Sequence, residues 1–198
     1  MNWYSANNIY DSPPCDDAIL RARLNVVLIA PEIAPNAGNI SRLCYASGTN
    51  LHIVGKPGFD IKTDKHFKRA AVDYWDRLDI KKYADFEEFL SAIASKAAKS
   101  AEVDGGCGGG DGSDSGPRII LTSTNGRTLY FEFSYKPGDY IVFGPESSGI
   151  AEEIMELYGG FSVRIPLNSN VRSLNLSTAC GIIVFSAIAQ IYQSYSIY

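Results

Sequence analysis

The sequence feature that most constrains the fold is a set of short, nearly continuous apolar runs. Residues 24–30 read Leu-Asn-Val-Val-Leu-Ile-Ala, and residues 51–54, 118–122 and 140–143 are similar runs. A strand with one wet face alternates apolar and polar residues, whereas a strand buried on both faces does not. Helical patterns lie between the runs. The sequence therefore predicts an α/β domain with a mostly parallel sheet and helices on both of its faces.

The first two runs and the segment between them predict a right-handed strand–helix–strand unit over residues 24–54. Apolar residues follow a helical spacing from Ile40 onwards, and Gly48 is suited to end that helix. Asn36 or Asn39 is the expected N-cap residue, because a short polar side chain can accept a hydrogen bond from the first turn.

Composition narrows the classes of function. The chain has 198 residues, is 45% hydrophobic and has a net charge of -4. It is long enough for one packed domain, and no global basic field indicates a nucleic-acid partner, although local basic patches remain able to bind one. The four cysteines lie far apart and there are only two histidines. This pattern predicts no disulfide framework, no metal site and a cytoplasmic location.

Three segments are expected to lie outside the packed domain. Residues 1–23 predict a disordered extension without a signal peptide, and residues 193–198 predict a short tail. Residues 104–116 are rich in glycine but contain no phosphate-binding motif, so they predict a flexible insert. No segment is expected to be apolar over a length that crosses a bilayer, and no membrane partner is expected.

Residues 62–82 mix lysines and arginines with aspartates and aromatic residues. Two interpretations stay open for this stretch. It is either a solvated helix face or a patch that follows RNA phosphates and stacks on bases.

Three polar segments each follow a predicted buried strand: residues 36–42, 144–149 and 165–177. Pro166 ends the last strand, and Ser177 is the expected N-cap residue of the helix that follows. Ligands of open α/β sheets bind at the carboxyl ends of strands. The three segments together are therefore the candidate site.

The three segments resemble the sequence motifs of the SpoU branch of the SPOUT RNA methyltransferases. The matching motifs are Asn-x-Gly-Asn-Ile-x-Arg-Leu-Cys from Asn36, Phe-Gly-Pro-Glu-x-x-Gly from Phe143, and Arg-Ile-Pro-x-x-x-x-x-Arg-Ser-x-Asn-Leu-Ser from Arg164. The stretches that begin at Leu51 and Arg69 also resemble the TrmL type of this branch, which methylates the wobble nucleotide of tRNA. The resemblance covers residues 24–192 and departs from the family pattern only outside these motifs.

The resemblance implies a C-terminal trefoil knot that holds S-adenosylmethionine, without a metal. It implies a homodimer that binds the anticodon stem-loop of tRNA and methylates the ribose 2′-hydroxyl of nucleotide 34, a cytidine or a modified uridine. The open alternatives are another tRNA position, ribosomal RNA, or a non-catalytic RNA-binding protein on the same fold.

The residues that the resemblance assigns fall into two groups. The catalytic group is Arg42, Asn36, Glu146, Ser173 and Asn175. The cofactor-binding group is Leu121, Thr122, Gly144, Glu146, Gly149, Ile165, Leu167, Ser173 and Leu174. A guanidinium remains protonated in proteins and is a poor general base, so Arg42 is expected to position the ribose and stabilise charge.

The last predicted helix, from residue 177 to residue 191, is apolar almost all round. Such a helix is either central to the core or covered by a partner subunit, and the sequence does not separate these alternatives.

Overall fold

The computed structural model describes residues 22–74, 76–77, 79–103 and 116–195. Residues 1–21 of the predicted extension and residues 104–115 of the predicted glycine-rich insert lie outside the described residues. Ala22, near the end of the predicted extension, is buried in the core. The strands are β1 (Asn25–Ile29), β2 (Asn50–Val54), β3 (Ile80–Tyr83), β4 (Ile119–Thr122), β5 (Thr128–Leu129), β6 (Tyr140–Phe143) and β7 (Ser162–Arg164). The helices are α1 (Ala34–Ser47), α2 (Lys65–Ala71), α3 (Phe86–Val103), α4 (Glu152–Tyr158) and α5 (Leu176–Tyr195).

The seven strands form one sheet in the order β3-β2-β1-β6-β4-β7-β5. All six neighbouring pairs are parallel, and Val27 of β1 is in register with His52 of β2 and Val142 of β6. The predicted α/β class and parallel sheet are confirmed. Because every strand runs the same way, the segments after β1, β4, β6 and β7 emerge at one edge of the sheet, which we call the carboxyl edge.

Helices cover both faces of the sheet, as predicted. Along β1, Val26 and Leu28 belong to the core beneath α1, α2 and α5, whereas Val27 packs with Phe89 and Ile93 of α3 on the other face. Successive side chains of a strand point to opposite faces. The apolar run at residues 24–30 therefore supplies both halves of the core.

Helix α1 begins differently from the sequence prediction. Its N-cap residue is Ile33, which makes no side-chain cap hydrogen bond, and neither Asn36 nor Asn39 caps the helix. Both asparagines lie inside the helix, whereas a capping side chain belongs to the residue that directly precedes the first helical residue. The predicted end is confirmed, since Gly48 has φ 64° and its N–H bonds back to Cys44 and Tyr45.

Helix α5 also departs from prediction at both ends. Asn175, rather than Ser177, is the N-cap residue, because its Oδ1 accepts the backbone N–H of Ser177 at 2.9 Å and of Thr178 at 3.3 Å. The helix continues to Tyr195. The expected tail from residue 193 is therefore still helical through residue 195.

By length and composition alone, Leu176–Ser194 of α5 is apolar enough to cross a membrane, so the expectation that no segment reaches this length is wrong. Core helices of soluble proteins pass the same test. One face of α5 is buried in the core that includes β1 and α1, through Cys180, Ile183, Val184, Ala187, Ile188 and Ile191. The apolar composition of α5 therefore does not indicate a membrane span.

Candidate functional site

The three polar segments meet at the carboxyl edge around one pocket of about 780 Å³. Its walls come from residues 122–125 after β4, residues 143–150 after β6 and residues 172–176 before α5, together with Ile165 and Leu167 after β7. A pocket of this volume is suited to a small organic ligand.

A chain of side-chain hydrogen bonds joins the three segments. Asn175 Nδ2 donates to Asn36 Oδ1 at 2.8 Å, and Asn36 Nδ2 donates to Glu146 Oε1 at 3.0 Å. Asn36 is buried. Since one end of its amide donates and the other accepts, the orientation of Asn36 is fixed from both sides. Three residues predicted as catalytic are thus in direct contact.

Glu146 also binds the backbone at the start of α1. Its Oε2 accepts the N–H of Glu32 at 2.8 Å, and its Oε1 accepts the N–H of Ile33 at 3.3 Å. Amide donors at a helix N-terminus favour a negative charge. The carboxylate of Glu146, from another loop, therefore binds the two backbone N–H groups that immediately precede the first residue of α1.

Glu32, which is not among the site residues predicted from the sequence, completes this arrangement. Its carboxylate accepts the hydroxyl of Ser147 at 2.6 Å and the N–H of Ser147 at 2.8 Å. These two bonds lower the pKa of Glu32. Glu32 and the Glu146–Ser147 pair thus bind each other reciprocally. The sequence signal that could have indicated Glu32 is an acidic residue shortly after β1, an interior strand of the sheet.

Gly144, which the family resemblance assigns to cofactor binding, is required by the fold of its own loop. A Cβ at Gly144 would collide with the backbone of Gly149 and Ile150. The loop folds back on itself, with the N–H of Gly149 bonded to the carbonyl of Pro145 at 2.9 Å. Gly149 has φ 73°, which favours glycine. Both glycines shape the pocket wall.

Most residues of the predicted cofactor-binding group line the pocket: Thr122, Gly144, Glu146, Gly149, Ile165, Leu167, Ser173 and Leu174. Leu121 does not, since it is fully buried in the core on the α3 face. Alternation along β4 turns Leu121 away from the side taken by Thr122. The hydroxyl of Thr122 donates to the carbonyl of Val142 at 2.8 Å.

Two arginines are placed in unexpected ways. Arg42 is exposed on α1 and is not among the residues that line the pocket of its own chain. Arg172, which the predicted site did not include, does line the pocket. Within the described ranges, no group of three or more His, Cys, Asp or Glu side chains is arranged to hold a metal ion.

Comparison with known proteins identifies the family. The model of the SpoU rRNA Methylase family matches residues 23–106 and 111–185. A tRNA (cytidine(34)-2′-O)-methyltransferase from Yersinia pestis is 36% identical over 169 residues, which are 85% of this chain and 94% of the relative. The protein of the same name from Escherichia coli K12 is 34% identical over 169 residues, with the same coverage of both chains.

Solved structures agree with the sequence relatives. A structure described as giving insights into the 2-OH methylation of C/U34 on tRNA has a TM-score of 0.72 and 33% identity, and covers 86% of this chain and 97% of that chain. The SpoU methyltransferase AviRb from Streptomyces viridochromogenes, in complex with the cofactor AdoMet, has a TM-score of 0.71. It is 20% identical, with 86% of this chain and 61% of that chain covered, so this likeness shows the shared fold. The chain belongs to the SpoU rRNA Methylase family.

Proposed function

We propose that this protein transfers a methyl group from S-adenosylmethionine to the ribose 2′-hydroxyl of the wobble nucleotide of tRNA, a cytidine or a uridine at position 34. The observation that carries the proposal is the hydrogen-bonded chain Asn175–Asn36–Glu146 at the rim of the pocket. The names of the relatives and of the structural neighbour, which refer to the 2′-oxygen of nucleotide 34, support the same substrate.

The residues around the pocket fit the proposed cofactor. Ile165, Leu167 and Leu174 offer apolar walls, while Thr122 and the loop that contains Gly144 place polar backbone beside them. Adenosine needs this combination of apolar surface and a few fixed polar groups. S-adenosylmethionine supplies an electrophilic methyl group on its sulfonium. The AdoMet complex of AviRb, on the same fold, supports the assignment.

The chemistry needs two reactants held in line and a proton carried away from the hydroxyl. In our proposal Asn36, Glu146 and Asn175 fix the loops around the ribose, and Ser173 faces the pocket beside them. Arg42 holds the attacking ribose through its planar set of donors. The side chain of Arg172 lies at the same pocket and is suited to a phosphate of the RNA.

We propose a homodimer because Arg42 does not line the pocket of its own chain. A second copy would bring its Arg42 to this pocket. Helix α5 offers the surface for such contact, since Phe185 is 51% exposed and Tyr192 is 39% exposed on one face. Exposed apolar surface of this kind favours burial by a partner.

The trefoil knot is also a proposal. The connection from β5 to β6 and the connection from β6 to β7 both cross β4, because β6 lies on one side of β4 and β7 lies on the other. Crossing connections at a sheet edge are rare in unknotted folds. This strand order therefore supports a knot formed by residues 144–175.

For the remainder of the chain we propose one catalytic domain over residues 24–192 and a cytoplasmic location, where tRNA is available. Residues 104–116 are proposed to be dispensable, since lengthening a loop costs little free energy. A replacement of this insert by a short Gly-Ser linker should keep methyl transfer, and a folded but inactive variant would contradict the proposal.

Two other functions remain as alternatives for the test. One is methylation of ribosomal RNA, which the family's name mentions, or of another tRNA position. The other is RNA binding without catalysis, although a protein that only binds RNA has no need for the Asn175–Asn36–Glu146 chain.

The test is nucleoside mass spectrometry of tRNA from cells with and without this protein, combined with methyl transfer by the purified protein to anticodon stem-loops. We expect the 2′-O-methyl group at nucleotide 34 to disappear without the protein and to return with it. If tRNA methylation is the same without the protein but ribosomal RNA methylation is lost, the first alternative is correct. Binding of RNA without any methyl transfer would support the second.

A further inference from the structure

A partly exposed pair of aromatic rings lies between α1 and the segment that follows α2. The rings of Tyr45 and Tyr74 are stacked, with 4.7 Å between their centroids and 16° between their planes. Tyr45 is 39% exposed. Tyr74 is half-buried, so the outward surface of the stack comes mainly from Tyr45, and nothing in the site described above uses it.

The position of the pair on α1 relates it to Arg42. Residues three apart on a helix are neighbours on its surface, so Tyr45 lies one turn along from Arg42. On the same side as Tyr45, α1 packs closely on α2: a Cβ at Gly38 would lie 2.7 Å from the Cβ of Ala70. On the opposite side, Leu43 packs near Gly181 of α5. The tyrosine pair therefore lies on the flank of α1 that faces away from α5.

Charge around the pair favours an anionic partner. Arg42 is exposed on α1, and Arg69 is exposed on α2. Arg77 is exposed three residues after Tyr74, where its N–H donates to the carbonyl of Tyr74 at 3.1 Å. The exposed acid between Tyr74 and Arg77 is Asp76, so these cations outnumber it. Cations beside exposed rings are the combination that single-stranded nucleic acids bind.

We propose that Tyr45 and Tyr74 form a stacking platform for a nucleobase of the RNA substrate next to the nucleotide held by Arg42. This inference rests on the proposed function and deepens it. A nucleotide whose ribose reaches a pocket has to leave its stack, and an aromatic platform on the protein replaces the stacking lost by a neighbouring base. The basic stretch at residues 62–82 then contributes to RNA binding rather than only to solvation.

The test compares Tyr45→Ala with Tyr45→Phe in binding to an anticodon stem-loop and to S-adenosylmethionine. Loss of one base–ring stack should weaken RNA binding by about tenfold in the Ala variant. The Phe variant should bind RNA as the unchanged protein does, because it keeps the ring. Cofactor affinity and thermal unfolding should be the same for both variants. Tyr74→Ala and Tyr74→Phe form a second pair with the same expectation.

A spectroscopic readout separates stacking from a purely structural role. Stem-loops that carry 2-aminopurine at one loop position at a time should show fluorescence quenching on binding at one position, and Tyr45→Ala should abolish it. Equal RNA affinity of the Ala and unchanged proteins overturns the platform, as does an equal loss in the Phe variant. A change of oligomeric state without loss of RNA affinity also overturns it. If the platform is overturned but the unchanged protein methylates the stem-loop, the proposed function stands. If the unchanged protein neither binds nor methylates RNA, both the platform and the proposed function fail.

Discussion

The two edges of the sheet carry polar networks of similar chemistry in different surroundings. At the amino edge, where the strands begin, Asn50 Nδ2 donates to Asn25 Oδ1 at 3.0 Å, and His52 Nε2 lies 3.2 Å from the same oxygen. His52 is the middle residue of β2, and its Nδ1 lies 3.0 Å from the hydroxyl of Tyr83, the last residue of β3, so this network extends from the amino edge into the sheet. At the carboxyl edge, the chain Asn175–Asn36–Glu146 uses amides and a carboxylate in the same way but borders a pocket.

The amino-edge network is closed on itself. His52 is 2% exposed and Asn25 is 3% exposed. Asn25 Nδ2 donates to the carbonyl of Gly138 at 3.0 Å, which leaves its Oδ1 as the acceptor for His52 Nε2–H. Burial is the main reason why the pKa of His52 falls to about 4, with smaller contributions from nearby lysines. This network contributes stability.

The carboxyl-edge network is open on one side. Asn36 is buried, but Glu146 is half-buried and Asn175 is exposed toward the pocket. A buried network of hydrogen bonds therefore does not by itself identify a functional site. A network that also borders an accessible cavity does identify one. Substitutions at the carboxyl edge should therefore impair activity or cofactor binding, whereas substitutions at the amino edge should impair stability.

The largest expected effect is on catalysis. Arg42→Ala should lower the rate of methyl transfer by about 1000-fold, as removal of a preorganised donor does in other enzymes. Affinity for S-adenosylmethionine should remain, because in our proposal Arg42 contacts the attacking ribose and not the cofactor. Arg42→Lys should restore little, since an ammonium lacks the planar set of donors.

The measurement is methyl transfer to an anticodon stem-loop together with calorimetry of cofactor binding. Near-normal transfer by Arg42→Ala would refute the assignment of Arg42 while leaving the family unchanged.

The second effect concerns the pocket wall. Gly144→Val should weaken cofactor binding by about 100-fold, because the new side chain forces the loop away from Gly149 and Ile150. Gly160→Val is the matched control, since a Cβ at Gly160 meets nothing within 4 Å. Calorimetry that finds equal cofactor affinity in the two variants would show that the loop adapts.

The third effect tests the amino edge. The folded-state pKa of His52, about 4, lies below the ordinary histidine pKa of 6.5, so His52 stabilises the fold above pH 6.5 and this contribution is lost as the pH falls toward 4. Between pH 7.5 and pH 5 the loss should be about 2 kcal/mol. His52→Phe should lack this part of the pH dependence, and His66→Phe, at the other histidine and exposed, should retain it.

Urea unfolding at the two pH values measures the free energy of unfolding of each variant. The same pH dependence in His52→Phe and in the unchanged protein would show that other groups cause the acid loss.

The smallest effect concerns Glu32, which is fully exposed. Glu32→Ala removes two hydrogen bonds to Ser147 and should weaken cofactor binding several-fold by loosening the loop after β6. Glu32→Gln keeps an acceptor oxygen and should lie between Glu32→Ala and the unchanged protein. In an assay of cofactor affinity, Ser147→Ala should add little to Glu32→Ala. Full additivity of the two substitutions would contradict a shared role.

Much of the fold was predictable because its signals are local. The apolar runs fixed the positions of β1, β2, β4 and β6 and indicated burial on both faces, and Gly48 indicated the end of α1. The N-cap residues of α1 and α5 were assigned incorrectly, since several short polar residues occur near each start. Which of them caps a helix depends on where that helix begins: α1 begins after Ile33, which makes no side-chain cap hydrogen bond, and α5 begins after Asn175.

The candidate site was predictable as a set of motifs but not as a geometry. The three polar segments and their residues could be named from the sequence, because their residue types and spacing resemble a family. Leu121 belongs to the group that the resemblance assigns to the cofactor, yet alternation along β4 buries it. Glu32 was not predictable as a site residue, because its partner Ser147 lies 115 residues further along the chain.

The sequence by itself determined the α/β class, the parallel sheet and the residues from which a site is built, because apolar periodicity and chain-breaking residues act over a few positions. Only the tertiary structure decided that Asn36 bonds to Asn175 and Glu146 rather than capping its own helix, that Glu32 binds the opposite loop, and that Arg42 stands apart from the pocket of its own chain. The physical reason is that each of these relations depends on distances between segments more than 100 residues apart or on the packing of whole helices, which no local pattern encodes.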